Sequence, residues 1–339
     1  MNALVYSAGG GIGDSLVSSV VAQALRQRYD RVDALTLPGH RATLERVPDY
    51  DAVLVDDGGD ERALAGSLAS RGYDACVVTW ATARTAKIPQ LAKIPVRVGQ
   101  ARRLYAFRFT DRVVVRSETG DATSHWSDIQ LDFARALGCD APGAVPGFVP
   151  TDEDEAESSA LVIPSVGSGA TRVEGPPRAF LILHPTNAEA TKRGIWPTRG
   201  WAALARALRE RLDLPVLISG TAADAPIVDA IAADSGATSI AGRLGIGAFG
   251  ALARRARGFV GITTGTMHVA AAVGCPTVGI FPFQSDFPDR WAPAGPRTAI
   301  VRPTYPCHKG DTKENCVDYA CVAHLDVDRI VAETEKLLA

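Results

Sequence analysis

The chain has 339 residues, of which 46% are hydrophobic and 22% charged, and a formal net charge of -2. That balance excludes a disordered chain, and the near-neutral charge argues against a nucleic-acid partner for the chain as a whole. The length suits two domains of about 150 residues each, and six cysteines in so long a chain are no disulfide framework.

Short β-rich runs alternate with helical patterns along nearly the whole chain, which predicts an α/β protein with doubly wound parallel sheets covered by helices. The opening "MNALVYSAGG" carries no basic leader and no cleavage site, so it reads as a strand and a glycine turn, and the expected compartment is the cytoplasm. Strands are predicted at 3–6, 32–37, 52–55, 75–79, 96–98 and 112–115, and helices at 15–28, 61–71 and 125–137. A Pro-, Gly-, Ser- and acid-rich break at about 140–178 reads as the interdomain connection with one short helix inside.

The pattern then restarts: strand "AFLILHP", helix 199–211, strand "PVLISG", helix 224–233, strand 238–240, helix 247–257, strand "GFVGIT", helix 266–273 and strand "PTVGIF". The longest uncharged run, 259–283, is interrupted by Gly, Thr, His268 and Pro276, so it reads as strand–turn–helix–strand and not a membrane span. A last amphipathic stretch, 326–338, predicts a terminal helix. The expected division is a first domain at 1–165, a second at 178–325, and a helix at 326–339 that packs back on the first domain. Ligands of doubly wound sheets bind in loops after the strands, and every motif below falls in such a loop.

The first loop, "SAGGGIGDSLVSS", places Asp14 where the last glycine of a dinucleotide fingerprint would stand. A carboxylate there repels a diphosphate, so Asp14 is read as a general base near an acceptor hydroxyl, or as a cap of the helix that follows. Gly10, Gly11 and Gly13 let a ligand approach the strand end. In the second half, "GITTGTMHVAAAVGCPTVGIFP" places Gly265 at the start of a helix whose free N–H groups suit a diphosphate, with hydroxyl donors from Thr264 and Thr266. Those threonines could instead only cap the helix, and His268 could face the same anion or the core. The loop "LHPTNAEATKRGIWPTRGWAALA" carries Lys192 and Arg193 at a strand end, suited to neutralising a departing phosphate, or else solvated like most lysines.

Together these segments, with the C-terminal "PCHKGDTKENCVDYACVAHLDVDRIVAETEKLL", resemble the ADP-heptose:lipopolysaccharide heptosyltransferase family, glycosyltransferase family 9. The resemblance implies a GT-B fold, two Rossmann-like domains facing a central cleft. It also implies transfer of a heptose-like sugar from a nucleotide diphosphate donor, ADP-heptose in the family, with inversion and without a metal ion or cofactor. On it Asp14 matches the family's general base and Lys192 its basic residue on the donor phosphates. Thr264, Gly265, Thr266, Met267 and His268 match the diphosphate turn, with Thr186 and Thr191 as secondary contacts. Relatives commonly carry Asp immediately before the Thr-Gly of that turn, where this chain has Thr263. The neutral hydroxyl leaves the donor's sugar and base open.

Between 84 and 116 the chain holds nine basic residues and one acid, Asp111. This reads either as a positive wall for an anionic saccharide or glycolipid acceptor, or for peripheral contact at the inner face of a membrane, or as scattered solvated charge. Cys307, Cys316 and Cys321 are candidate metal ligands, but their spacing lacks the tight pair of common structural sites, so buried thiols are the expectation. Other classes considered are a nicotinamide oxidoreductase, which Asp14 in the glycine loop opposes, a catalytically silent sugar-nucleotide- or carbohydrate-binding protein, and a sugar-nucleotide epimerase of the same fold.

Overall fold

The computed structural model describes residues 1–164, 172–174, 179–186, 196–283, 287–306, 316–317 and 319–339. They divide into two compact units, Met1–Val149 and Pro150–Ala339. The division falls inside the stretch expected to connect the domains.

The first unit is built on strands β1 (Asn2–Ser7), β2 (Arg31–Thr36), β3 (Ala52–Val55), β4 (Ala75–Val78), β5 (Val96–Gln100) and β6 (Asp111–Val113). Its helices are α1 (Ile12–Val17), α2 (Val20–Leu25), α3 (Arg41–Leu44), α4 (Glu61–Ala69), α5 (Ala83–Leu91) and α6 (Trp126–Arg135). The strands pair in parallel in the order β3-β2-β1-β4-β5-β6. Ala3, Leu4, Val5 and Tyr6 are fully buried, as a central parallel strand covered on both faces requires.

Two local features depart from the sequence reading. The helix expected at 15–28 starts earlier, at Ile12, and is interrupted between Val17 and Val20. There the Ser18 hydroxyl donates to the Asp14 carbonyl at 2.7 Å, a local bond that competes with the helical ladder. Helix α5 falls in the stretch read only as basic. Its start is fixed by a reciprocal cap between Thr82 and Thr85, and Pro89 sits near its end.

The second unit contains α7 (Asp152–Ser159), the antiparallel pair β7 (Val162–Pro164) and β8 (Arg172–Glu174), β9 (Leu181–His184) and α8 (Thr198–Leu212). It continues through β10 (Val216–Ile218), α9 (Ala225–Ser235), β11 (Thr238–Ser239), α10 (Ile246–Arg255), β12 (Gly258–Ile262), α11 (Gly265–Ala272) and β13 (Thr277–Ile280). The remainder is α12 (Pro288–Trp291), β14 (Thr298–Val301), α13 (Ala320–Ala323) and α14 (Val327–Leu338). The main sheet runs β11-β10-β9-β12-β13-β14, all parallel. Both sheets thus follow one winding, outward from the first strand to one side and then across to the other, which leaves a switch point between the first and fourth strands of each.

Strand β14 is absent from the sequence reading because it is short and mostly half-exposed. The short helix expected in the connection is α7, and it belongs to the second unit. Glu155 pairs with Arg254 of α10 at 2.8 Å, and Glu157 accepts from the Gly245 N–H at 2.9 Å. The terminal helix, expected to reach the first domain, buries Ile330 and Val331 in the core of the second unit with Leu204 and Val278. Among the described residues no helix is long and apolar enough to cross a membrane.

Candidate functional site

In the first unit the loops after β1 and β4 flank the switch point. Gly10, at φ +66, turns the chain from β1 into α1, a conformation glycine adopts without strain. A Cβ there would meet Asp14 Oδ2 at 2.5 Å, so the absence of a side chain also makes room for the carboxylate. Gly11 is the N-cap of α1, and Asp14 occupies the third helical position, where it accepts the Gly11 N–H at 2.7 Å. Gly13 is buried and Asp14 half-buried. Asp14 is thus not the N-cap of a helix starting at Ser15, the alternative weighed from the sequence; it lies inside α1 and closes back on the N-cap residue Gly11.

Burial raises the Asp14 carboxyl above its ordinary range, opposed by the Gly11 N–H and by His40. A carboxylate shifted upward is a better proton acceptor. His40, in the turn after β2, is buried with its Nδ1 2.8 Å from Ser15 Oγ, which lies 3.4 Å from Ser7 Oγ. Burial lowers the His40 pKa, with Asp14 opposing. Trp80, just beyond β4, is 40% exposed, and its ring lies so close over Gly9 that no side chain fits there.

His40, Ser15 and Trp80 were not singled out in the sequence. Each stands alone in its segment, and only the sheet order brings the ends of β2 and β4 to β1. A second network escaped notice for the same reason. Asp56, after β3, accepts from the Tyr6 hydroxyl of β1 and is gripped through two nitrogens by Arg84 of α5, Nη2 to Oδ1 at 2.6 Å and Nε to Oδ2 at 2.9 Å. Burial alone would raise Asp56; Arg84, Tyr6 and the Gly58 N–H together hold it below the ordinary carboxylate value.

In the second unit the loops after β9 and β12 hold the corresponding places. Thr264 is the N-cap of α11, but its hydroxyl does not bond the helix's own N–H groups; it lies 2.7 Å from the Thr266 hydroxyl. Thr263, Thr264, Gly265 and Thr266 are half-buried, whereas Met267 and His268 are buried. A Cβ on Gly279 would come 2.8 Å from Met267 Sδ, so Met267 packs on β13. The start of α11 therefore presents backbone and two hydroxyls, the chemistry an anion needs. The Thr263 N–H is engaged by the Ile280 carbonyl at 3.0 Å.

At the end of β9, His184 is buried 2.9 Å from Ser219 Oγ and stacked on Phe259. Burial lowers its pKa to about 4 against the opposing influence of Asp224 and the Thr186 backbone, so it is neutral at pH 7. The Thr186 hydroxyl is buried and has no hydrogen-bond partner among the described residues. Thr191, Lys192, Arg193 and Cys307 lie outside the described residues. Cys321 is buried with Sγ 3.9 Å from the Pro282 carbonyl, and Cys316 is half-buried.

The basic stretch is not an unbroken positive wall. Arg84 pairs with Asp56, Lys87 with Glu61, Arg103 with Glu118, and Arg116 with both Asp128 and Asp132. Arg97 donates to the carbonyls of Ile94 and Arg108.

Residues 61–320 match the model of glycosyltransferase family 9 (heptosyltransferase). The chain is 24% identical to lipooligosaccharide heptosyltransferase 2 of Haemophilus ducreyi, over 97% of each chain. Among solved structures it resembles E. coli ADP-heptose lps heptosyltransferase II, with TM-score 0.77 and 22% identity over 100% of this chain and 98% of that one. A family 9 glycosyl transferase from Veillonella parvula gives TM-score 0.79 and 17% identity over 99% and 97%. These structural likenesses carry the fold, two Rossmann-like parallel sheets of the GT-B class. With the family model spanning most of the sequence, the chain belongs to glycosyltransferase family 9, the heptosyltransferase family.

Proposed function

We propose that the protein is an inverting glycosyltransferase that moves a heptose-like sugar from a nucleotide diphosphate donor to a hydroxyl of an anionic saccharide or glycolipid acceptor. Membership in family 9 carries this reading. The geometry adds a half-buried carboxylate of raised basicity at the first unit's switch point and a hydroxyl-lined helix start at the second's. ADP-heptose is the first donor to test, because E. coli ADP-heptose lps heptosyltransferase II is named for that donor and E. coli heptosyltransferase WaaC is solved with ADP.

In this mechanism Asp14 takes the proton of the attacking hydroxyl as the new oxygen–carbon bond forms at the anomeric carbon. The bond from that carbon to the diphosphate breaks with its electron pair leaving on the phosphate oxygen. Lys192 and the first-turn amides of α11, with Thr264 and Thr266, stabilise that charge, and the charge balance requires no metal ion. The acceptor side is assigned to the first unit, and peripheral membrane contact to its basic stretch. Thr263 favours a second reading, a protein that binds a sugar nucleotide without transferring it.

A panel of ADP, GDP, UDP and their sugar conjugates, read by thermal shift and by transfer, separates the two. Asp14→Asn is expected to keep the thermal shift and lose turnover by about 100-fold or more, and chelator is expected to leave turnover unchanged. Undiminished transfer by Asp14→Asn rejects Asp14 as the base. A shift without transfer in the wild type, across all donors and acceptors tried, favours the second reading.

A further inference from the structure

Of the five tryptophans, Trp80 is the one that stands exposed. Its indole lies on Gly9, where a Cβ would meet three adjacent ring atoms, Cδ1, Cγ and Nε1, at 2.1, 2.2 and 2.4 Å. Near-equal distances to neighbouring atoms mean that the glycine meets the flat face of the ring and not its edge. One face is therefore covered by the turn, and the exposed area belongs to the rest of the indole. The backbone beneath it is held on both sides. The Thr79 N–H donates to the Tyr6 carbonyl at 3.1 Å, the Thr85 hydroxyl to the Trp80 carbonyl at 3.0 Å, and the Tyr105 hydroxyl to the Ala81 carbonyl.

A single exposed apolar side chain is ordinary by itself. This one shares a glycine turn with a carboxylate. Strands β1 and β4 are parallel neighbours, with Tyr6 opposite Val78, so the Gly9–Asp14 turn and Trp80 leave the sheet at the same edge. Gly9 carries the indole; Gly10 and Gly11 carry the Asp14 carboxylate, which a Cβ on Gly10 would meet at 2.5 Å. An exposed indole beside a hydrogen-bond acceptor fits a ligand that is apolar on one face and rich in hydroxyls along its rim. A pyranose ring is such a ligand, its C–H face meeting the negative face of the aromatic ring while its hydroxyls point sideways. A nucleotide base also stacks, but it would bring its phosphates toward the carboxylate, which repels them.

We propose that Trp80 is the stacking platform for the acceptor's pyranose ring, the ring whose hydroxyl faces Asp14. Its description as the acceptor's ring rests on the transferase reading; the stacking of a pyranose on Trp80 does not. Stacking fixes the plane of the sugar and the hydrogen bond to Asp14 fixes its rotation, so one hydroxyl is selected. A stacked ring is held alike in the ground and transition states, so its loss raises KM more than it lowers kcat.

The test is fluorine NMR of the full chain labelled with 5-fluorotryptophan, the Trp80 signal being the one missing from Trp80→Phe. Methyl glucuronopyranoside, methyl mannopyranoside, glycerol and ADP are titrated in turn. Both pyranosides are expected to move the Trp80 signal saturably and the other tryptophans less. Glycerol, which has hydroxyls but no ring, and ADP are expected to leave it in place. By saturation-transfer NMR, Trp80→Ala is expected to bind the pyranosides about tenfold more weakly, and Trp80→Phe within about threefold of the wild type. A Trp80 signal that neither pyranoside moves, or that ADP moves as far, overturns the platform, as does Trp80→Ala binding as well as the wild type. In the transfer assay Trp80→Ala is expected to raise the acceptor KM about tenfold and leave the sugar-nucleotide KM unchanged. The reverse split assigns the ring to the donor and overturns the proposal. Transfer by a wild type whose Trp80 ignores both pyranosides sinks the platform alone. Stacking in a protein that transfers no sugar from any donor tried sinks the transferase reading alone.

Discussion

At Asp14 an observed role in closing a helix start coincides with the proposed role in proton transfer. Its carboxylate caps α1 through the Gly11 N–H, and the same bond fixes the orientation of the group proposed to take a proton. Burial and the cap act on its charge in opposite senses, and burial prevails. His184 shows the complementary case, a buried base kept neutral. Its folded pKa of about 4 lies below that of an unfolded histidine, near 6.5. As pH falls, the unfolded chain takes up the proton first, so stability is lost as pH drops from 6.5 through 4. Between pH 7 and pH 5 the wild type is expected to lose on the order of 2 kcal/mol more than His184→Asn, measured from urea midpoints at the two pH values. An equal loss in both proteins would show that His184 is not the group responsible.

At the scale of elements, the two chemically informative helix starts are built differently. Helix α1 is capped from within by an acid, which makes its start hostile to a phosphate. Helix α11 begins with a threonine whose hydroxyl turns to Thr266 and leaves the helix amides uncapped by Thr264. The double variant Thr264→Ala/Thr266→Val is expected to weaken nucleotide diphosphate binding about tenfold while leaving the melting temperature of the free protein within a few degrees. Titration calorimetry measures the first and thermal scanning the second, and unchanged affinity would remove these hydroxyls from the donor seat. Elements with strong periodicity, such as β1, β12 and the terminal helix, were legible in the sequence. Helix α5 was not, because its two basic residues and Pro89 masked a helix whose start signal is only the pair Thr82 and Thr85.

At the scale of the molecule, each unit has its own core: Leu4, Tyr6, Leu35 and Val78 belong to the first, and Leu181, Ile218, Val260 and Ile280 to the second. A cavity in one should therefore be felt mainly there. Phe133→Ala removes a fully buried ring from α6 in the first unit, at a cost of about 3–5 kcal/mol. Hydrogen exchange is expected to speed up in β1 and β4 far more than in β9 and β12. Equal acceleration in both sheets would mean that the units unfold as one.

The order of apolar runs and glycine turns determined the α/β class, the repeat of one winding and the loops that carry Asp14 and Thr264, because periodicity and turn chemistry are local. Which side chains meet was decided by the tertiary structure. Tyr6, Asp56 and Arg84 lie on β1, after β3 and on α5, and His40 reaches Ser15 from the end of β2. Those meetings depend on strand order, a long-range property that no segment encodes alone. The same holds for the basic stretch: its composition announced a charged wall, but pairing with Asp56, Glu61, Glu118, Asp128 and Asp132 consumed much of that charge and left exposed Leu104 and Phe107 as its distinctive feature.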